Sequence, residues 1–321
     1  MKILVTGAGG VLGQAFQAIQ GDYPQHNFTF WRSVDCNLLN DAWSLRLTVG
    51  DVAPEAIIHL AAVSGGVGLS AKHPATLLRD NTRMTLNVLD VALACDVAKV
   101  IMSLSSGMYP ANAPLPLRES SMHDGYPHES NYAYAFAKRL IDPAIRAYRS
   151  EYGLNVIGLI PNGMFGEGDN FNLDDCNMVA ALIRRFHAAR HTKDSVTVWG
   201  DGTPLREFTY AKDMARAYMW ALENYDGADC LNVGTTEERS VAEIAGMIAT
   251  MVGIYPERIT FDASKPSGPL RKNTDNSKFL ALSGFSYTPF LEGLRRTIKW
   301  YGETYRDAPE LIRTGPKVRD N

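Results

Sequence analysis

Lys2-Ile3-Leu4-Val5-Thr6-Gly7-Ala8-Gly9-Gly10-Val11-Leu12-Gly13 decides the fold. A short apolar run enters a glycine-rich turn, and an amphipathic pattern follows at once. Strand, glycine turn and helix in that order present the amides of a helix N-terminus to a phosphate. Gly7, Gly10 and Gly13 divide the work between a tight turn, close backbone approach to a pyrophosphate and close helix-to-sheet packing. Val11 and Leu12 open the helix. The reading is an α/β chain with a Rossmann-type, doubly wound parallel sheet and a dinucleotide at its edge.

The next elements extend that crevice. Residues 28–31 read as the second strand, ending at Arg32 and Ser33. An acid there suits the ribose diol of NAD and a cation suits the 2′-phosphate of NADP, so Arg32 favours NADP. Residues 35–38 follow where an adenine edge would lie, which brings in Asn37 and Leu38. Residues 56–62 read as a buried strand whose carboxyl end, Leu60, Ala61 and Ala62, lines the crevice. His59 within it reads as a satisfied core histidine. A long helix over 74–95 carries Asn81 and Asn87, and a strand over 99–105 ends at Ser105, Ser106 and Gly107.

Residues 131–139, Asn-Tyr-Ala-Tyr-Ala-Phe-Ala-Lys-Arg, read as a helix capped by Ser130 and Asn131. Tyr134 and Lys138 are four apart and share a face, whereas Tyr132 points elsewhere. An ammonium beside a phenol favours the phenolate, so Lys138 is expected to lower the Tyr134 pKa and make it a usable proton donor. Ser105, at a strand end just upstream, is placed to offer a second hydroxyl to the same carbonyl oxygen.

With 321 residues and 45% hydrophobic content, the chain can bury a full core and a second lobe. A net charge of −3 gives no reason to expect nucleic acid or an anionic membrane as partner. Met1 leads straight into a strand and no apolar run is of membrane-spanning length, so neither leader nor membrane span is expected. Cys36, Cys95, Cys176 and Cys230 are scattered without metal-type spacing, which fits a reducing, cytoplasmic compartment and no metal.

The glycine turn, the Leu-Ala-Ala strand end, Ser105 and Tyr134-x-x-x-Lys138 together resemble the extended short-chain dehydrogenase/reductases. Pro127-His-Glu-Ser-Asn131, residues 169–172, Leu182-Ile-Arg-Arg185, residues 198–208 and Ser264-Lys-Pro-Ser-Gly268 narrow the likeness to the GDP-L-fucose synthase family, over nearly the whole chain. That resemblance implies NADPH, a GDP-linked 4-keto sugar, 3,5-epimerisation followed by 4-reduction, and Pro161 in the cofactor set. It implies a homodimer through a four-helix bundle of residues 74–95 and 131–152; the spacing of Leu86, Leu89 and Leu93 gives an apolar face for the partner, and Pro143, which lacks a backbone donor, is expected to bend the second helix. A cofactor domain is expected over 1–162 plus about 207–236, and a nucleotide-sugar domain over about 163–206 plus 237–321.

In that second half, helices are expected over 179–189, 241–252 and 290–301, a strand over 196–199, and a strand–helix return to the first domain over 208–225. No fold is assigned after Arg306. Arg185, Arg206 and Lys272 are the cations to place around a diphosphate, and Trp199 is the ring to stack on the base. The chain departs from the family where its epimerase cysteine and histidine belong, which are Gly107 and Asn177 here; neither accepts a proton at neutral pH. A further departure is Asn162-Gly163 in place of Thr-Asn. The expectation is therefore a 4-keto reductase. The alternatives are a full synthase with other bases, another nucleotide-sugar epimerase or dehydratase, and a non-catalytic NADP-binding regulator.

Overall fold

The computed structural model describes residues 1–265 and 268–315, so Pro266 and Ser267 of the Ser264–Gly268 motif and the last six residues lie outside it. The first half alternates strand and helix: β1 Lys2–Thr6, α1 Val11–Ile19, β2 Asn27–Trp31, α2 Ala42–Val52, β3 Ala56–His59, α3 Val67–Lys72, α4 Pro74–Ala94, β4 Lys99–Ser103, α5 Tyr132–Arg139, α6 Ile141–Tyr152 and β5 Val156–Pro161. With β9 (Leu231–Val233) these strands form a parallel sheet in the order β2-β1-β3-β4-β5-β9. Side chains alternate across a strand, and here both faces are buried. Leu4, Ile57, Val100 and Val156 join one core with Leu45, Val88 and Leu89. Ile3, Ile58, Ile101 and Ile157 join a second core with Phe16, Met214 and Tyr218. Strands buried on both faces explain the continuous apolar runs in the sequence.

Several expectations change here. Residues 131–152 do not form one helix, because α5 gives way to α6 at Leu140. Pro143 has no N–H for the Arg139 carbonyl, which accounts for the interruption. Asn131 stands at the start of α5, but its side chain makes no capping bond; the turn before it is capped by the His128 ring, which accepts from Ser130 N. Leu89 does not face outward with Leu86 and Leu93. It is fully buried in the first core while Leu86 is exposed, because α4 packs its Leu89 side against the sheet.

The remaining elements are β6 Gly163–Phe165, α7 Met178–Ala189, β7 Val196–Trp199, β8 Leu205–Tyr210, α8 Ala211–Asn224, β9, β10 Glu238–Ser240, α9 Val241–Val252, β11 Ile259–Asp262, α10 Ser277–Ser283 and α11 Phe290–Asp307. β8 lies between β6 and β10 in a small sheet of its own, while α8 packs beside α1 against the main sheet. β7 pairs with β11, and a third core joins α7, α9 and α11 through Phe186, Ile244 and Leu294. Past Arg306, where the sequence assigns no fold, residues 307–315 are tied down by contacts at Arg313: Phe171 N donates to its carbonyl, and its guanidinium donates to the Gly9 carbonyl.

One buried carboxylate ties three of these segments together. Glu207 on β8 accepts from Asn162 Nδ2 at 3.2 Å, Thr274 N at 3.0 Å and Thr274 Oγ1 at 2.9 Å. Burial outweighs these bonds and pushes its pKa from 4.5 up to about 7. The native state therefore holds this proton more tightly than the unfolded chain, and stability contributed here is lost as pH rises from about 4.5 through 7. Glu207→Gln keeps the acceptor and removes the titration. It is expected to gain on the order of 3 kcal/mol over the native chain at pH 8 and nothing at pH 4. Denaturant melts at both pH values check this; an equal loss at both would refute it.

Candidate active site

The cofactor crevice is shaped by backbone proximity. Gly7 has φ +73°, and a Cβ there would stand 2.5 Å from Ala61 N, so the end of β1 and the segment after β3 touch with no side chain between them. A Cβ on Gly13 would meet Ala8 Cα at 2.5 Å, which is how closely α1 sits on the turn. Gly10 begins α1 with extended backbone, and the first turn, with Val11 and Leu12, carries no acidic residue. Dipole and free amides there suit an anion.

The remaining crevice residues divide. Arg32 is exposed, with Cγ 3.7 Å from where a Gly9 Cβ would be, and its Nε donates to Asp35 Oδ2 at 3.0 Å. Leu38 is a core residue with its carbonyl held by Asn87 Nδ2 at 2.8 Å, so its backbone rather than its side chain borders the crevice; Asn37 is exposed beside it. Leu60 N donates to the Thr6 carbonyl at 3.3 Å, and past Ala62 the loop is pinned by Asn81, which accepts from Val63 N at 3.0 Å. Pro161 closes β5 opposite Val233. Asn81 and Asn87 are the two loop anchors whose purpose the sequence left open.

The reactive groups gather where β4 ends. Lys138 is buried and its Nζ donates to the Ser103 carbonyl at 2.8 Å. Burial brings its pKa from 10.5 down to about 8. Tyr134 does not follow the expectation of a lowered pKa. Burial pushes it up to about 12, and its hydrogen bond with Ser105 recovers only part of the shift. The phenol is therefore a neutral donor across the working range, which suits a proton-giving step. Tyr132 is exposed on another face. His59 is buried, bonded to Thr6 Oγ1 at 2.9 Å and pushed down to about 3, as befits a core histidine.

Ser105 begins a short turn, Ser106–Met108, and its Oγ accepts from Gly107 N at 3.1 Å. Arg139 ties that turn to α5 by donating from Nε to the Met108 carbonyl at 3.1 Å and from Nη1 to the Gly125 carbonyl at 2.7 Å. A Cβ on Gly107 would stand 3.2 Å from Ser105 Oγ, 3.2 Å from Asn131 Nδ2 and 4.0 Å from Lys272 Nζ. Position 107 is thus crowded as well as unable to titrate, and a cysteine there would displace a neighbour. Lys272, brought down to about 8 by burial with help from Arg206, is the titratable side chain that reaches this spot. Arg206 itself is held by the Leu205 and Pro269 carbonyls, both at 2.7 Å.

A second group lies along α7. Asn177 is exposed at the helix start. Arg185 lies over the Trp199 ring at 5.5 Å, and Trp199 is 52% exposed, so the pair presents a cationic aromatic face to solvent rather than filling a core. Among the described residues no contact joins this pair to Ser105; α3 lies between, with Gly66 approaching the Cys176 carbonyl and Ser70 bonded to Asn131. Cys176 is pushed up to about 11 by burial, and His187 is packed against Tyr301 and Tyr305. Neither is a base for a sugar near Ser105. Among the described residues no cluster suits a metal, and no helix is long and apolar enough to cross a membrane.

Residues 3–234 match the NAD-dependent epimerase/dehydratase family. A GDP-L-fucose synthase of Dictyostelium discoideum is 32% identical, over 95% of this chain and 97% of that protein. A GDP-L-fucose synthetase from Naegleria fowleri, solved bound to NADP, superposes with a TM-score of 0.89 at 31% identity, covering 97% of this chain and 96% of that one. A GDP-mannoheptose C4 reductase from Campylobacter jejuni, solved with NADP bound, gives 0.85 at 25% identity over 94% of this chain and 98% of its own.

Proposed function

The chain belongs to the NAD-dependent epimerase/dehydratase family, and from that premise we propose that it is an NADPH-dependent reductase of the 4-keto group of a GDP-linked sugar, without epimerase activity. It is an NADP-dependent oxidoreductase acting on nucleotide sugars, as its relatives are. The observation that carries the narrower reading is the contrast between the reducing groups and the two positions where the family's bases belong. Ser105, Tyr134 and Lys138 are assembled, while Gly107 and Asn177 offer no titratable group.

The crevice fits the cofactor. Gly7 and Gly10 leave backbone room for a pyrophosphate at the start of α1, and Arg32 stands at the end of β2 for a 2′-phosphate. When bound, NADPH supplies a hydride from its nicotinamide ring. Tyr134 then gives its proton to the carbonyl oxygen, and Ser105 steadies the charge that develops there. Lys138, fixed on the Ser103 carbonyl, holds the nicotinamide ribose and stabilises the phenolate left behind. Arg206 faces the sugar diphosphate, with Arg185 and Trp199 at the base, whereas Lys272, expected beside the diphosphate, reaches the sugar end of the site next to Gly107 instead. This assigns residues 1–162 with about 207–236 to the cofactor and the rest to the substrate, and β8, in the small sheet, to the boundary.

Tyr134→Phe is expected to cut ketone reduction by roughly 100- to 10,000-fold while NADPH still binds. Tyr132→Phe is expected to retain turnover, and the reverse pattern would move the acid to Tyr132. Arg32→Ala is expected to weaken NADPH about tenfold or more and to spare NADH, since one arginine–phosphate bond is lost, less the cost of its Asp35 pairing. Cofactor titrations check both.

The chain is also read as a homodimer through α4 and α6, where Leu86 and Tyr152 are exposed. Sedimentation at micromolar concentration is expected to give twice the chain mass, and a monomer would remove this reading.

The reduction-only reading is tested with GDP-4-keto-6-deoxy-D-mannose and NADPH in deuterated water. The product is expected to carry no solvent deuterium at C3 or C5. Deuterium at either carbon above the enzyme-free rate would favour the full synthase, and Lys272, close to position 107 and with a pKa near 8, would be its base.

A further inference from the structure

Three hydrogen-bonding groups converge on the open face of Gly107. The three groups that a Cβ would meet there are an amide, a hydroxyl and an ammonium: Asn131 Nδ2 at 3.2 Å, Ser105 Oγ at 3.2 Å and Lys272 Nζ at 4.0 Å. They come from three separate stretches of chain. Ser105 Oγ already accepts from Gly107 N, but an apolar sugar substituent would leave the amide and the ammonium without an acceptor there, whereas an oxygen would supply one.

Asn131 is held in place for this. Its Oδ1 accepts from Ser70 Oγ at 2.9 Å, which turns Nδ2 toward Gly107. Ser70 is itself buried on α3, and α3 packs on the turn that ends at Asn131. The Asn131 side chain makes no capping bond to α5, so it is not committed to the helix. Among the described residues, no acceptor is bonded to its Nδ2.

We infer that this is a subsite for the hydroxyl on the sugar carbon next to the reacting ketone, with Asn131 donating to that oxygen. The inference rests on the ketone-reductase reading. Ser105 sets the position: its hydroxyl serves the carbonyl oxygen and also borders the space over Gly107, so the second oxygen belongs to a neighbour of C4. Of the two neighbours, C3 carries a hydroxyl, whereas C5 carries the ring oxygen and C6. The substrate class is therefore a GDP-linked 4-keto sugar that keeps its 3-hydroxyl. Asn131 becomes a specificity-determining residue that distinguishes it from 3-deoxy sugars.

The test compares GDP-4-keto-6-deoxy-D-mannose with the same ketone lacking the 3-hydroxyl, as substrates of the full chain. One neutral hydrogen bond corresponds to roughly a 3- to 10-fold preference in kcat/KM for the hydroxylated ketone. Asn131→Ala is expected to collapse that ratio towards one. Asn131→Asp, which keeps the size and the Ser70 contact but has no donor, is expected to do the same. A merely structural role would lower both ketones in proportion and leave the ratio standing, which would overturn the inference. If the native chain oxidises NADPH with neither ketone, the reductase reading fails by itself. The subsite is then decided by calorimetric binding of GDP-mannose against its 3-deoxy analogue. Loss of the native discrimination in Asn131→Ala supports it, and discrimination that is absent from the native chain or retained in the variant overturns it.

Discussion

The bond from Lys138 Nζ to the Ser103 carbonyl is the constraint on which the arrangement depends. An ammonium buried this deeply is costly unless hydrogen-bonded, and the end of β4 supplies the acceptor at 2.8 Å. Ser103 serves the other face of the sheet as well, its hydroxyl lying 2.7 Å from the Tyr218 hydroxyl on α8. One residue thus joins α5, the central sheet and α8, and fixes the rotation of α5 about its axis. With that rotation set, Tyr134, one turn earlier, meets Ser105 and Tyr132 is left in solvent. Arg139 completes the registration by holding the Ser106–Met108 turn against the same helix.

Local patterns carried much of this in the sequence. The glycine turn, the apolar strands and the four-residue spacing of Tyr134 and Lys138 depend on neighbours a few positions away, and period and propensity report those well. What depended on distant packing was not legible. Leu89 shares helical spacing with Leu86 and Leu93, yet α4 packs against both the sheet and α5, so spacing alone could not tell the inward side from the outward one. The Tyr134 pKa turned on burial, which outweighs the Ser105 hydrogen bond, while the lowering expected from Lys138 is not among its causes. Arg313 on Gly9, and Glu207 between Asn162 and Thr274, pair residues tens to hundreds of positions apart without any motif to announce them.

The second half shows how polar groups can be buried without becoming catalytic. Asn162 donates from Nδ2 to Glu207 Oε2 and to the Thr235 carbonyl, and its Oδ1 accepts from Thr209 Oγ1. This network links the end of β5, the middle of β8 and the loop after β9. Buried networks of this kind are stabilising when satisfied and costly when one member is missing. The Asn162-Gly163 departure then has a structural sense. A Cβ on Gly163 would stand 2.5 Å from the Glu207 carbonyl oxygen, so a side chain there would force apart the strands that carry the network.

Position 107 brings the chemistry and the packing together. Removing an acid/base side chain normally leaves a gap, and a gap invites water or a shifted neighbour. Here the face of Gly107 is lined by polar groups, Asn131 Nδ2 and Ser105 Oγ each standing 3.2 Å from where a Cβ would be. The groups that line this face bind oxygen, and the Asn131 amide is locked by Ser70 rather than free to turn. Epimerisation requires a base on each side of the sugar plane, whereas reduction requires the sugar to stay in one orientation long enough for hydride and proton to arrive. Fixed donors around an oxygen next to the ketone serve the second need and hinder the first, since they restrain the ring that an epimerase must let invert. On the reduction-only reading proposed above, Gly107 and Asn131 work together: the glycine leaves its face open, and the amide beside it is the handle on the substrate.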